Sequence, residues 1–303
     1  MKAVVLERAG SADRLMFAEI PKPSFGPGEV LIRVHATTVT RGDVVLRKMP
    51  KTIARLVGET PKSVLGHEFA GEIVASGADV DDWRVGDRVF GTTSARPQGS
   101  HAEYVSMPGK GILATIPVGI EYDEAAPIPV GAMTALHFLL KGGTRAGHRV
   151  LINGASGSVG TYAVQIAKGL GAHVTGVSSA ANMDLVASLG AGETIDYQTH
   201  DFTKGSQRYD LVFDTVAKLA PKSVTDVLSE QGSFVSTRSR RKETIEELLL
   251  VRDLLMRRVI WAVIDRCFAL EDLQEAHRYV ELGRKRGNVL VTMTEGDRDF
   301  RYT

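Results

Sequence analysis

A glycine-rich turn between a buried strand and a helix is the feature of this sequence that most constrains its fold. Residues 150–160 read VLINGASGSVG and run directly into TYAVQIAK. The apolar run predicts a strand, and the A-x-G-x-x-G pattern from Ala155 predicts the turn that opens a dinucleotide-binding βαβ unit. Gly157 would let the backbone approach a pyrophosphate, and Gly160 would let the helix pack closely on the strand. The alternative is an ordinary tight turn between a strand and a helix.

The rest of the second half repeats this alternation of strand and helix. Strands are predicted at 150–152, 173–177, 194–195, 209–213 and 233–236, and helices at 158–170, 183–189, 221–229 and 244–258. Alternating strands and helices predict a parallel, doubly wound sheet.

The first third of the chain has a different pattern, with short strands separated by glycine and proline. Strands are predicted at 2–7, 16–20, 30–39, 69–76, 88–90 and 102–106, which favours a compact β barrel or sandwich. Helices follow at 123–126 and 130–141, and a last helix and strand at 276–282 and 289–292 would return to this first domain. We therefore expect an α/β protein with one domain at residues 1–121 and 266–303 and a second at 122–265.

Composition excludes several classes of protein. The 303 residues carry a formal net charge of +1, so no overall field attracts nucleic acid or an anionic membrane. No apolar run is long enough to span a bilayer, and charge interrupts residues 1–8 too early for a signal peptide. Cys267 is the single cysteine, which excludes an internal disulfide. A cytoplasmic soluble protein without nucleic-acid or membrane partners is expected.

Four further motifs occur in a characteristic order: GHEFAG at 66–71, VGDRVF at 85–90, GSHAEY at 99–104 and GAMTAL at 131–136. With the turn at 153–160 and the later Asp196-Tyr197, the chain resembles the medium-chain dehydrogenases/reductases, and among them the zinc-independent quinone oxidoreductase (zeta-crystallin-like) branch. The resemblance implies a GroES-like β-barrel domain on the substrate side, a Rossmann domain that binds NADP(H), and an active site in the cleft between them.

The resemblance also assigns the residues expected to contact the cofactor. They are Thr134, Asn153, Ala155, Ser156, Gly157, Ser158, Val159, Ser178, Ser179, Asn182 and Tyr197. A carboxylate at the end of the second strand would bind the NAD ribose, and serines stand there instead, which favours NADPH over NADH. The basic residue common in relatives is replaced by Ala181. The alternative is that both serines merely cap the following helix.

Zinc divides this superfamily, and the sequence argues against it. Thr40 stands where relatives that bind zinc have their first cysteine ligand, and His67 and Glu68 are retained without a thiolate partner. Since catalytic zinc needs three protein ligands, we expect no metal and interpret His67 as a structural or cleft-wall histidine.

Without metal or flavin, the implied chemistry is hydride transfer from nicotinamide to a quinone or an activated alkene such as an enone or enal. The resemblance nominates Thr40, Asp43, Arg47 and His67 as catalytic candidates. Val45 replaces a tyrosine that relatives often carry, so the proton donor is unassigned and solvent is an alternative source.

One segment departs from the family. The connection between the strand at 233–236 and the helix at 244–258 is very short and contains Arg238, Arg240, Arg241 and Lys242, which we expect to form a solvated loop. A sixth strand and the family's usual homodimer are therefore in doubt. Three alternatives remain: a nucleotide-binding protein with a sensing or structural role, a zinc alcohol dehydrogenase, and a reductase of carrier-bound enoyl chains.

Overall fold

The computed structural model describes residues 1–56, 63–94, 96, 98–239 and 241–293. Arg240 of the basic segment and the charged tail at 295–303 lie outside the described residues. The chain divides into two compact units, of which unit 1 comprises Met1–Val130, Glu243–Arg252 and Ile264–Thr303, and unit 2 comprises Gly131–Lys242 and Asp253–Val263. The domain boundaries after residue 121 and before residue 266 stay predictions.

The described residues form fourteen named strands and eight α-helices. In chain order the strands are β1 Lys2–Leu6, β2 Leu15–Glu19, β3 Glu29–Thr38, β4 Glu68–Ser76, β5 Arg88–Thr92, β6 Tyr104–Pro108, β7 Leu113–Thr115, β8 Arg149–Asn153, β9 His173–Ser178, β10 Glu193–Asp196, β11 Tyr209–Asp214, β12 Leu228–Ser236, β13 Ile264–Ala269 and β14 Asn288–Thr292. The helices are α1 Arg41–Lys48, α2 Lys51–Leu56, α3 Tyr122–Ala125, α4 Ile128–Lys141, α5 Ser158–Gly169, α6 Met183–Ser188, α7 Ile245–Met256 and α8 Leu273–Glu281. In the part of the chain that is described, no helix is long and apolar enough to cross a membrane.

Unit 1 is built around β3. Its sheet has the order β13-β14-β3-β4-β5-β7, with β6 also paired to β3, and β1 and β2 form a separate antiparallel pair. Alternate residues of β3 (Val30, Ile32 and Val34) are buried, which is the period of a strand with one face on a core. The late strand β14 pairs antiparallel with β3, with Leu290 opposite Thr38. Helix α8 and strand β14 therefore lie in unit 1.

Unit 2 contains a five-stranded parallel sheet in the order β10-β9-β8-β11-β12. The central strand β8 is buried throughout its apolar run, as a strand covered on both faces must be. The strand order reverses at β8, so the carboxyl end of β8 is the topological switch point at which such sheets bind ligands. The predicted α/β class with a GroES-like domain and a parallel Rossmann sheet is confirmed.

The helix predicted at 221–229 forms, but as a 3₁₀-helix that ends before Leu228. The structure has a 3₁₀-helix at Pro221–Val227, and β12 begins directly at Leu228, opposite Tyr209 of β11. Val224 and Val227 are fully buried, and their spacing of three residues is the repeat of a 3₁₀-helix. Sequence analysis also predicted none of α1, α2, β7 and β13.

Candidate nucleotide-binding and catalytic sites

The glycine-rich turn lies at the carboxyl end of β8. Gly154 has a φ of 81°, and the N–H groups of Gly154 and Ala155 both donate to the carbonyl of Val177, at 3.0 Å each. Helix α5 begins at Ser158, and its N-cap residue Gly157 supplies no side-chain cap. The first turn of α5 therefore offers backbone N–H groups that no cap residue occupies, which is the arrangement that binds an anion.

The two glycines of this turn have different steric roles. A Cβ built on Gly157 would meet only the Gly154 carbonyl oxygen, at 3.4 Å, so space lies beside this backbone. A Cβ on Gly160 would be 2.1 Å from the same oxygen, so Gly160 is required for α5 to pack against the turn. Ala155 is fully buried and lies against Gly176 of β9, where it supports the turn and exposes no surface.

Several polar side chains lie close together at the carboxyl end of β9. The Asn182 amide donates to the hydroxyls of Ser156 and Ser179, at 3.2 Å each, which joins the glycine-rich turn to the end of the second strand. Ser178 is buried and its hydroxyl donates to the Ser179 carbonyl. Neither Ser179 nor Asn182 caps the following helices with its side chain, so the alternative that these residues merely cap a helix is not what the structure shows.

Two more of the predicted cofactor residues flank this group. Tyr197 is 59% exposed, and its backbone N–H donates to the carbonyl of Ser178, which places the Tyr197 backbone beside the end of β9. The neighbouring carboxylate of Asp196 accepts hydrogen bonds from Gln198 and Thr199 within its own turn. Asn153 lies at the end of β8, and its amide donates to the buried carboxylate of Asp214. Val159 follows Ser158 in the first turn of α5.

Thr134 lies in the middle of α4, in contact with an arginine of the basic segment. The Arg241 Nε donates to the Thr134 hydroxyl at 3.2 Å, and the Arg241 Nη2 is buried. Arg238 donates to the carbonyl of Ala217, and Lys242 is exposed. The expectation that this segment is a solvated loop is therefore wrong for Arg241, because a polar contact with α4 holds its guanidinium.

In unit 1 the structure brings together three of the four catalytic candidates. Thr40 is the N-cap of α1 and forms a capping box with Asp43, whose Oδ2 accepts from the Thr40 backbone N–H and hydroxyl at 2.8 and 2.6 Å. The other oxygen, Oδ1, accepts from Gly66 N–H at 3.0 Å and lies 2.9 Å from His67 Nδ1. Burial alone would raise the pKa of Asp43, but the charge and hydrogen bond of His67 hold it well below its usual range.

His67 is partly exposed. Its side chain is 20% exposed, whereas that of Asp43 is fully buried. Since the carboxylate accepts at Nδ1, the outer nitrogen Nε2 is the one through which His67 would exchange a proton.

The fourth candidate, Arg47, lies elsewhere in unit 1. Its side chain is fully buried, with Nε donating to the Gly10 carbonyl and Nη2 bound to Glu281 at 2.5 Å. The same carboxylate binds Lys48. These contacts join α1 to α8, so we assign Arg47 a structural role.

Sequence analysis missed Glu68 as a buried acid. Glu68 accepts from the Thr38 hydroxyl and the Val130 N–H, at 2.7 Å each. Burial, together with the neighbouring charges of Asp43 and Glu243, raises the pKa of Glu68 to about 7 in spite of these hydrogen bonds. Its position next to His67 in the GHEFAG motif was visible, but its burial depends on strands far apart in sequence.

A metal requires more ligands than these residues bring together. Across the described ranges, no group of three or more histidine, cysteine, aspartate or glutamate side chains is placed to hold a metal ion. The Thr40 hydroxyl donates to Asp43, both oxygens of Glu68 accept hydrogen bonds, and Cys267 lies on β13. The donor set does not fit catalytic zinc, which needs three protein ligands and an open position.

Two family models match the chain. Residues 26–122 match the alcohol dehydrogenase GroES-like domain, and residues 158–280 match the zinc-binding dehydrogenase model. The first match covers β3 to β7, and the second covers the parallel sheet from α5 onward.

Individual proteins agree with these models. The mitochondrial NAD(P)H oxidoreductase RTN4IP1 of Danio rerio is 34% identical over 250 residues, which cover 75% of this chain but only 64% of that protein. The chloroplastic quinone-oxidoreductase homolog of Spinacia oleracea is 30% identical over 236 residues, which are 75% of this chain and 71% of the relative. The solved structure of the quinone oxidoreductase from Coxiella burnetii superposes with a TM-score of 0.86 at 28% identity, over 97% of this chain and 99% of that one.

Proposed function

The chain belongs to the medium-chain dehydrogenase/reductase family, on its quinone oxidoreductase branch, and from this premise we propose that it is an NADPH-dependent reductase of quinones or activated alkenes that works without zinc. The observation that carries the proposal is the uncapped start of α5 behind Gly157, at the switch point of the sheet. Relatives named as NAD(P)H oxidoreductase and quinone oxidoreductase support the same assignment.

The residues of unit 2 fit a dinucleotide. The N–H groups at the start of α5 would hold the pyrophosphate, and the space beside Gly157 lets the phosphates approach the backbone. The bound cofactor would supply a hydride, and the protein's contribution is to orient it.

NADPH is favoured by the polar group at the end of β9. Ser178, Ser179 and Asn182 place hydroxyl and amide groups where a carboxylate would reject a 2′-phosphate. The Asp196 carboxylate is held within its own turn by Gln198 and Thr199, so it does not replace the missing acid.

Reduction of such an acceptor takes up a hydride and a proton, and we assign the proton to His67. Asp43 fixes the Nδ1 side of the ring, and Thr40 and Gly66 fix Asp43 in turn, so the imidazole is oriented before substrate arrives. A buried carboxylate stabilises the imidazolium, which can then donate to the developing oxyanion. Arg47 takes no part.

Absence of zinc is part of the proposal and rests on the donor set. A threonine hydroxyl in place of a thiolate, and a glutamate with both oxygens already accepting, leave His67 as a single candidate ligand. The zinc alcohol dehydrogenase alternative therefore lacks its ligands.

Cellular setting and assembly stay predictions. A cytoplasmic location is expected from the sequence, although the Danio rerio relative is described as mitochondrial. A homodimer like that of relatives is also a prediction, and the choice among quinone, enal and enoyl thioester acceptors is to be measured.

The test is steady-state oxidation of NADPH by an ortho-quinone and by a short enal, in parallel, with a chelator present and with NADH as the control cofactor. We expect acceptor-dependent oxidation that the chelator does not change, with NADPH preferred. Loss of activity on chelation, restored by zinc, would contradict the metal-free assignment. Tight NADPH binding without oxidation by any acceptor would instead favour the sensing or structural alternative.

A further inference from the structure

Asp214 is the last residue of β11, and the proposed function leaves its fully buried side chain unexplained. Its Oδ1 accepts from the Asn153 amide at 2.9 Å and from the Val216 N–H at 3.1 Å. Its Oδ2 accepts from the Leu219 N–H at 2.9 Å and from the Ser236 hydroxyl at 3.4 Å. Because each oxygen already accepts two hydrogen bonds, no position is left for a proton, and the group is a carboxylate that only accepts.

This carboxylate lies beside the crevice at which the parallel sheet would bind a ligand. Asp214 and Asn153 end the neighbouring strands β11 and β8 and stand opposite each other in their register. The chain continues from β8 to its neighbour β9, and from β11 to its neighbour β12 on the other side, so the strand order reverses between these two residues. Doubly wound sheets bind dinucleotides across this crevice. The pair therefore lies where the two halves of a bound dinucleotide would meet.

Asp214 also fixes the loop that follows β11. The two backbone N–H groups that it binds lie on either side of Ala217, whose φ of 63° is in the left-handed region that residues with a side chain rarely adopt. The Thr215 hydroxyl donates to the carbonyls of Asn153 and Gly154, at 2.8 and 3.2 Å. One buried carboxylate thus holds the loop after β11, and that loop is bonded to the glycine-rich turn.

The same carboxylate decides which way the Asn153 amide faces. Since a carboxylate cannot donate, Asn153 turns its NH₂ group toward Asp214 and its amide oxygen away from it. Across the part of the chain that the structure describes, no protein donor is bonded to this amide oxygen. Asn153 therefore offers a hydrogen-bond acceptor of fixed direction at the carboxyl end of β8.

An acceptor beside a buried carboxylate selects a ligand group that donates hydrogen bonds. The phosphates of NADPH only accept, and the charge of Asp214 would repel them. The start of α5 would hold the pyrophosphate, and the hydroxyl and amide groups after β9 would hold the 2′-phosphate. On the β11 side of the pyrophosphate, the next donors of the cofactor are the hydroxyls of the ribose that carries the nicotinamide.

We propose that Asn153 accepts a hydrogen bond from the nicotinamide-side ribose, and that Asp214 is the positioning residue that directs the Asn153 amide. The inference rests on the proposed function and adds to it the recognition of one half of the cofactor. Because the nicotinamide is attached to this ribose, the contact also helps to orient the ring that transfers the hydride.

The test measures the dissociation constants of two nucleotides that differ by this ribose, 2′-phospho-ADP-ribose and 2′-phospho-ADP. Neither contains nicotinamide, so the result does not depend on turnover. We expect Asn153→Leu and Asp214→Asn to weaken binding of 2′-phospho-ADP-ribose by about 3- to 10-fold, the usual contribution of one hydrogen bond, and binding of 2′-phospho-ADP by less than about 2-fold. The double variant should lose no more than the weaker single variant, because Asp214 acts through Asn153.

Asp210→Asn is the matched control. The Asp210 carboxylate also joins three strands, since it accepts from the Arg149 N–H of β8 and the Ser229 hydroxyl of β12, but it lies near the start of β11. Asp210→Asn should bind both nucleotides as the wild type does. Thermal unfolding shows which variants are folded, and Asn153→Leu, which removes one of the four donors to Asp214, keeps the test decisive if Asp214→Asn does not fold.

Several outcomes overturn the proposal. Equal weakening of both nucleotides in Asn153→Leu would show a general disturbance of the turn, and the same selective loss in Asp210→Asn would show an effect that is not local. Additive losses in the double variant would contradict the positioning role of Asp214. ADP-ribose and ADP form the equivalent pair if the protein binds NADH, and a wild type that binds none of the four nucleotides overturns the proposed function itself.

Discussion

Two buried carboxylates of unit 1 have pKa values that are shifted in opposite directions. Asp43 accepts hydrogen bonds on both oxygens and faces His67, and its pKa is lowered. Glu68 has two neutral donors and two acidic neighbours, and burial raises its pKa to about 7. Burial opposes the charged form in both cases, and the nearby charges decide the outcome.

At the residue scale the sharpest prediction concerns His277, which is fully buried on α8. Neither of its ring nitrogens has a hydrogen-bond partner among the residues described. Burial lowers the pKa of His277 to about 3. The charges of His101 and Arg47 also lower this pKa, whereas those of Asp43 and Glu281 raise it. His277 becomes protonated below about pH 6.5 in the unfolded chain but only below about pH 3 in the folded protein. The free energy of unfolding should therefore fall by about 2 kcal/mol between pH 7 and pH 5 because of this residue alone.

The measurement is urea unfolding of wild type and His277→Leu at both pH values. Trp83 lies in unit 1 and Trp261 in unit 2, so a Trp261→Phe background lets Trp83 fluorescence report the unit that contains His277. The wild type should lose about 2 kcal/mol more than His277→Leu on acidification. The exposed His200, replaced by glutamine, is the control, and equal pH dependence in all three proteins would contradict the prediction.

At the element scale, hydrophobic periodicity predicted strands such as β3, because a strand with one buried face has apolar side chains at alternate positions. Over 221–229 it predicted a helix but neither its 3₁₀ type nor its end, because the polar start of β12 has no strand period. Helix α1 was not predicted. The capping box formed by Thr40 and Asp43 indicates the start of a helix, but these residues were interpreted only as catalytic candidates.

The glycine-rich turn permits two substitutions with opposite expected effects. Gly157 is an N-cap with φ of −82° and ψ of 175°, which aspartate adopts readily, so Gly157→Asp should keep or raise stability because aspartate caps helices. Its carboxylate would occupy the anion site, so NADPH binding should be lost. Gly160→Ala should instead cost at least about 2 kcal/mol, because its Cβ would overlap the Gly154 carbonyl.

Thermal unfolding and NADPH titration of both variants decide this prediction. A folded Gly157→Asp protein that binds NADPH normally would exclude the turn as the cofactor site. Wild-type stability in Gly160→Ala would mean that the helix packs against the turn less closely than described.

At the scale of the whole molecule, sequence reasoning reaches residues that lie close together in the chain and does not reach contacts between distant segments. The cofactor turn lies within one run of eleven residues, and Thr40 and Asp43 lie within four. The contact between Arg241 and Thr134 joins residues 107 positions apart, and the salt bridge that commits Arg47 to Glu281 spans 234. Local composition indicates neither pairing, so the sequence alone predicted neither contact.

The return of the chain to β3 makes a prediction at this scale. Leu290 on β14 is fully buried, and Leu282 after α8 is 70% exposed. Leu290→Ala should destabilise unit 1 by about 2–5 kcal/mol, the usual cost of emptying a buried leucine site. Leu282→Ala should stay within about 0.5 kcal/mol of wild type. Urea unfolding followed at Trp83 compares the two, and similar midpoints would show that β14 adds little to the unit.

The pairing of β14 with β3 also sets an order of events on the ribosome. The strand that completes this part of the unit 1 sheet is translated about 250 residues after its partner, which at about 5–20 residues per second is a wait of roughly 10 to 50 s. All five strands of unit 2 are made within that interval. The part of β3 that pairs with β14 therefore has no partner on that side until β14 is made, and we expect this open edge to favour aggregation of incomplete chains.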